Sequence, residues 1–190
     1  MSCLNHVLQI IDVLDDPKVS GGKIKEILVE HGVESVEIIP LSGPKGKTDF
    51  VKIIIPGRNG KEKNGDAPTL GIIGRLGGVG ARPEITGIVS DADGAIVALA
   101  CAIKLGESQK RGDILEGDVI ITTHITPSAP TKPHKPVPFM DSPVDIMEIL
   151  KHEVDPKMDA ILSVDATKGN RVIKVHGFAI TPTVKDGWIL

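Results

Sequence analysis

Residues 69–105, TLGIIGRLGGVGARPEITGIVSDADGAIVALACAIKL, read as a strand, a glycine-rich loop, a second strand, an acidic turn and then a helix. The rest of the chain has to be arranged around that unit, which belongs to α/β sheets with tight connections. Its centre is Ser90-Asp91-Ala92-Asp93-Gly94, two carboxylates just ahead of an Ala/Val/Leu-rich run. Unpaired N–H groups and the helix dipole favour negative charge there. One reading is a helix cap with an extra first-turn acid; the other is a metal-binding carboxylate at the end of a strand.

The residues before this unit predict two helices and two strands. Ser2 caps a helix with Val7, Ile10, Ile11 and Leu14 on one face, ended by Asp16-Pro17, and Ser20 starts a second helix that stops at His31-Gly32. Alternation over 34–41 and 49–55 predicts strands. The GPKGKT run between them is not a phosphate loop, because the first glycine of that motif falls on Leu41 and a strand follows Thr48. Residues 57–60 form a turn and 61–67 an exposed loop. Gly77-Gly78-Val79-Gly80 lacks the helix and third glycine of a dinucleotide site, and Pro83 opposes a helix start.

After the helix, 106–117 is polar, and DVIITT at 118–123 is a buried strand ending at His124. Residues 127–143 carry prolines at 127, 130, 133, 136, 138 and 143, so this segment is extended and irregular. A loop in that position lies where open α/β sheets place ligands. Pro143 suits the first position of a helix over 144–152. AILSV at 160–164 is another buried strand, ending at Asp165, and 172–180 and 188–190 supply two more.

With 190 residues and no repeats, this is one α/β domain over 1–190: a helical segment at 1–33 and a sheet-containing core at 34–190 with the proline-rich loop 127–143. Two cysteines, with Cys101 in an apolar helical run, indicate free thiols in a reducing compartment. Residues 1–15 lack the basic start and apolar run of a signal peptide, and no apolar stretch has the length of a membrane span. A cytoplasmic protein with no membrane partner is expected. A net charge of −3 with interspersed signs, three Phe, one Trp and no Tyr leave neither a basic footprint nor stacking platforms, so no nucleic-acid partner is expected.

Three apolar runs therefore finish on potential metal ligands, at Asp91, His124 and Asp165. In a parallel sheet their ends share a rim, where two acids and a neutral imidazole suit zinc, manganese or cobalt. Such an ion lowers the pKa of its water and polarises an amide carbonyl. Each residue also has a plain structural reading: Asp165 caps a turn and His124 bonds a buried carbonyl. His134, Asp141 and Asp93 are the additional candidates near this site, and Arg75 has the planar fork to clamp a substrate carboxylate.

Asp91-Ala-Asp-Gly-Ala-Ile-Val-Ala-Leu99 and Val164-Asp165-Ala166-Thr167 resemble motifs of the co-catalytic metallo-aminopeptidases and di-zinc exopeptidases. The resemblance implies a mixed, mostly parallel sheet flanked by helices, a zinc-exopeptidase-like (phosphorylase/hydrolase-like) three-layer sandwich, with Asp91 as bridging ligand and Asp165 as terminal ligand. Departures accompany it. Arg75 stands where a histidine ligand belongs and Gly77 where its supporting acid belongs, Thr123-His124-Ile125 replaces a Glu-Glu pair, and the C-terminal histidine ligand has no counterpart.

The GRLGGVGARPE, SDADGAI, THITP and TKGN segments more closely resemble an uncharacterised bacterial and archaeal family whose members are longer. That implies a chain corresponding to the N-terminal part of such a protein, its fold incomplete at the C-terminus, with a second chain or a homo-oligomer as partner. Two functions are expected from these residues. One is a divergent metallopeptidase- or amidohydrolase-like protein acting on a peptide or small amide, with His124 and Arg75 catalytic. The other is a non-catalytic binding or assembly subunit with a degenerate exopeptidase fold.

Overall fold

The computed structural model describes residues 2–75, 88, 92–133, 135 and 139–165. Two capped helices open the chain. α1 (Cys3–Leu14) begins where the Ser2 hydroxyl accepts the Asn5 N–H, and it buries His6, Ile10 and Leu14, one residue per turn along one face. α2 (Gly21–Glu30) is capped by Ser20 in the same way and buries Ile24 and Leu28. It stops at Gly32, whose φ of +90° an L side chain rarely adopts, while the Val33 N–H returns to the Leu28 carbonyl.

β1 (Ser35–Gly43) and β2 (Gly46–Ile55) form an antiparallel hairpin, and β2 pairs antiparallel with β4 (Val119–Ile125). β3 (Leu70–Gly74) lies between β4 and β7 (Ala160–Val164) and is parallel to both. The described sheet is thus mixed, in the order β1-β2-β4-β3-β7, with its parallel half at β4-β3-β7. α3 (Asp93–Lys110) joins α1 and α2 on one face. Their apolar sides enclose Val51, Ile53, Ile55, Val119, Ile121 and Ile125, all buried. α4 (Ile146–Glu153) covers the opposite face, where Phe50, Leu41, Val144 and Ile149 form a smaller cluster. Helices on both faces of one sheet make three layers, the arrangement expected from the sequence.

Four local expectations are corrected. The polar stretch expected to follow the helix from residue 106 begins inside it, because α3 continues to Lys110. Glu107 lies inside that extension, bonded at 3.1 Å to both His6 and His31, and so ties three helices together. Pro143 does not open α4; Asp145 is the cap, accepting the Met147 N–H at 2.8 Å, and Val144 is buried beneath. The loop at 61–67 contains a 3-10 turn, Lys61–Lys63, because the buried Asp118 carboxylate accepts the N–H groups of Gly57 and Glu62. The proline-rich segment contains a two-residue ladder between β5 (Thr131–Lys132) and β6 (Phe139–Met140). The strands expected at 172–180 and 188–190 lie outside the described residues. Both cysteines are free, and burial pushes the Cys101 thiol above its ordinary value. No described helix is long and apolar enough to cross a membrane.

Candidate functional site

Parallel strands bring their C-terminal ends to one rim, and register decides which residues meet there. Ile73 pairs with Thr122 of β4 and Gly74 with Val164 of β7. One or two steps further, Arg75 stands level with His124 on one side and Asp165 on the other, and its N–H bonds the Val164 carbonyl at 2.9 Å. Side chains alternate along strands, so these three emerge on the same face. That face is the one under α4, because Thr122, two residues before His124, donates its hydroxyl to the Glu153 carbonyl at 2.9 Å. Neighbouring strands lie about 4.8 Å apart, which puts His124 and Asp165 roughly 10 Å from each other with Arg75 between them.

Arg75 is held from below. Its Nη1 donates to Glu153 Oε2 at 3.2 Å; the Glu153 side chain is 2 % exposed and that of Arg75 31 %. Burial pushes the Glu153 carboxyl above its usual value; Arg75 opposes the rise and Asp165 adds to it. His124 moves the other way, down to about 4, through burial first and the Arg75 charge second. At neutral pH it is an uncharged imidazole with one N–H to donate and one lone pair to accept.

The packing of α3 brings its first turn against the end of β3. A Cβ on Gly94 would lie 1.6 Å from the Arg75 carbonyl oxygen, and one on Gly74 would lie 2.3 Å from the Gly94 oxygen. Two glycines therefore let the first turn of α3 rest directly on the end of β3. Ala92 occupies the N-cap without a side-chain bond, and Asp93 is an exposed first-turn acid. Asp91 lies outside the described residues, as does His134.

Of the residues singled out from sequence, His124, Arg75 and Asp165 come together on the rim. Asp141 does not join them. Lys45 bonds it at 2.6 Å and Lys132 at 3.1 Å, holding its carboxyl at about 2 beside the β1–β2 turn. Among the described residues no group of three His, Cys, Asp or Glu side chains is placed to hold a metal ion. A guanidinium between the two remaining donors also opposes a dication there, so the described donor set does not fit zinc, manganese or cobalt.

Sequence reasoning missed Glu153 and Thr122. Glu153 had one trace: an acid in the last turn of a helix faces the negative end of the dipole and signals a compensating cation. A cavity of about 170 Å³ lies on the other flank of α4, lined by Lys52, Lys151, His152 and Asp155 among others. Its Lys52–Asp155 pair, 2.6 Å apart, is complete in itself, and none of the rim residues reaches it.

A family model described as "Protein of unknown function (DUF1177)" matches residues 40–190. No curated protein matches the chain. Among solved structures, a chain titled "Bottromycin maturation enzyme BotP" is similar over 64% of this chain and 30% of its own length, at 14% identity and a TM-score of 0.37. The present chain thus spans less than a third of that protein, and a likeness of this size carries no argument about function.

Proposed function

The chain belongs to the DUF1177 family of proteins of unknown function, and from its own rim residues we propose that it binds a peptide or small amide there as a binding or assembly subunit. The observation that supports this is the row His124–Arg75–Asp165 at one level of three adjacent strands, with Arg75 backed by the buried Glu153. A guanidinium has five donors, more than one carboxylate can accept, so Arg75 retains capacity for a ligand carboxylate. Asp165, exposed at the end of β7, suits a ligand amino group, and the neutral His124 suits an amide N–H or carbonyl. Charge of both signs and an uncharged donor within about 10 Å is the span of a short peptide end.

Hydrolysis is the second reading, favoured by the neutral imidazole and by the first turn of α3 resting on Arg75. A metal ion would supply polarisation of the amide and an ionised water. The described donors do not fit one, so no step is assigned to it.

Calorimetric titration of the full chain with dipeptides and N-acyl amino acids, with and without zinc, manganese or cobalt, separates the two. Binding without turnover, weakened about 10- to 100-fold by Arg75→Met, is the expected result, since a charge-assisted bond contributes ~1.5–3 kcal/mol. Binding equal in Arg75→Met and Asp165→Asn would overturn the rim as the site. Metal-dependent release of product would replace the first reading by the second.

A further inference from the structure

We propose that Glu153 couples the binding of a free carboxylate at Arg75 to the uptake of one proton, an inference that rests on the rim reading above. Glu153 closes α4, where the helix dipole opposes an anion, and its backbone carbonyl is fixed by the Thr122 hydroxyl at 2.9 Å. Its side chain is 2 % exposed, so little water can solvate its charge.

The charged and titratable groups around it come from every neighbouring element. Arg75 approaches from the end of β3, Asp165 from the end of β7 and the neutral His124 from β4. On α4 itself Lys151 bonds Glu148 at 2.8 Å, His152 lies 3.7 Å from the same carboxylate, and Lys52 of β2 pairs with Asp155. Among the described residues, Arg75 is therefore the cation that holds Glu153 ionised.

A ligand carboxylate on the same guanidinium changes that balance. Two anions then share one cation, with the Asp165 carboxylate nearby, and like charges at such a site drive one of them to its neutral form. The buried Glu153 is the group with least solvation to lose, so it takes the proton from solvent while the ligand and Asp165 stay charged. The neutral carboxyl still accepts from Arg75 through its carbonyl oxygen. A carboxamide ligand brings no second anion and leaves Glu153 as it was. The site thus distinguishes a free carboxylate from its amide by a proton, and binding weakens as pH rises, by up to about tenfold per pH unit for one proton taken up.

The test is titration of the full chain with N-acetylalanine and with N-acetylalaninamide at pH 6, 7 and 8, in buffers of different ionisation enthalpy. Net uptake approaching one proton for the acid, none for the amide, and none for Glu153→Gln is the expected pattern. In the unaltered chain, carbon NMR of the Glu153 carboxyl gives an independent reading: its signal moves towards the protonated position when the acid is added. Binding that depends on Arg75 with no proton uptake, or uptake that persists in Glu153→Gln, overturns this inference alone. No binding of either probe, or binding unchanged in Arg75→Met, overturns the rim reading and this inference with it.

Discussion

Replacing Gly94 by alanine tests whether α3 is seated on the rim as described. The added Cβ would stand 1.6 Å from the Arg75 carbonyl oxygen and 2.6 Å from the Arg75 nitrogen, both backbone atoms. Reaching even a 3.0 Å separation from that oxygen requires a displacement of about 1.4 Å. Neither partner can yield by turning a side chain. β3 is held between β4 and β7, and α3 is held by Ala95, Ala98, Leu99 and Ala102, all buried. Overpacking of this kind costs about 1–3 kcal/mol, and the upper end applies where backbone must move. Alanine's better helix propensity returns at most ~1 kcal/mol.

A net loss of about 1–2 kcal/mol lowers Tm by roughly 2–8 °C in a chain of this size. Thermal and urea unfolding followed by circular dichroism would measure it. Gly22→Ala is the control, an exposed position in α2 where a Cβ meets only the Ser20 hydroxyl at 3.7 Å, and it should be neutral or stabilising. A Gly94→Ala protein as stable as the parent would refute the close contact between α3 and β3.

Two further outcomes follow from the same geometry. Asp118→Asn removes one of two acceptor positions that serve the Gly57 and Glu62 N–H groups, at 2.7 and 2.9 Å. It should cost about 1–3 kcal/mol in urea unfolding, and hydrogen exchange should rise first at 57–62. His124 should remain neutral in an NMR pH titration down to about 4. Because its folded value is depressed below the unfolded one, its contribution to stability is present at neutral pH and is lost as pH falls from about 6.5 towards 4. A midpoint near the ordinary histidine value would contradict its burial beside Arg75.

Much of this architecture was legible in the chain because it rests on local chemistry. Ser2 and Ser20 cap helices by a hydroxyl three residues ahead of the amide it bonds, and period-2 alternation marks β1 and β2 whatever they pair with. The short apolar runs at 70–74, 119–123 and 160–164 announce strands, and the residues that end them meet on one rim, but β7 is exposed along 160–163 where its apolar run reads as buried. Strand order was not legible, since nothing local says that β3 inserts between β4 and β7 and so puts Arg75 between His124 and Asp165. The extension of α3 past residue 105 depends on Glu107 meeting His6 and His31, residues 101 and 76 positions away. Glu153 is the same case, because its partner Arg75 lies 78 positions away on a different layer.

The antiparallel course of β2 beside β4 sets the depth of the rim. Where a crossover loop would otherwise leave the sheet, the β1–β2 turn projects three residues beyond the Asp49–Ile125 pair, about 10 Å past the strand ends. Lys45 fastens it to the proline segment through the Pro143 carbonyl and Asp141. A ligand at Arg75 therefore meets a braced wall on its β2 side. Lengthening that turn by two residues would raise the wall without disturbing the register that sets His124, Arg75 and Asp165 side by side.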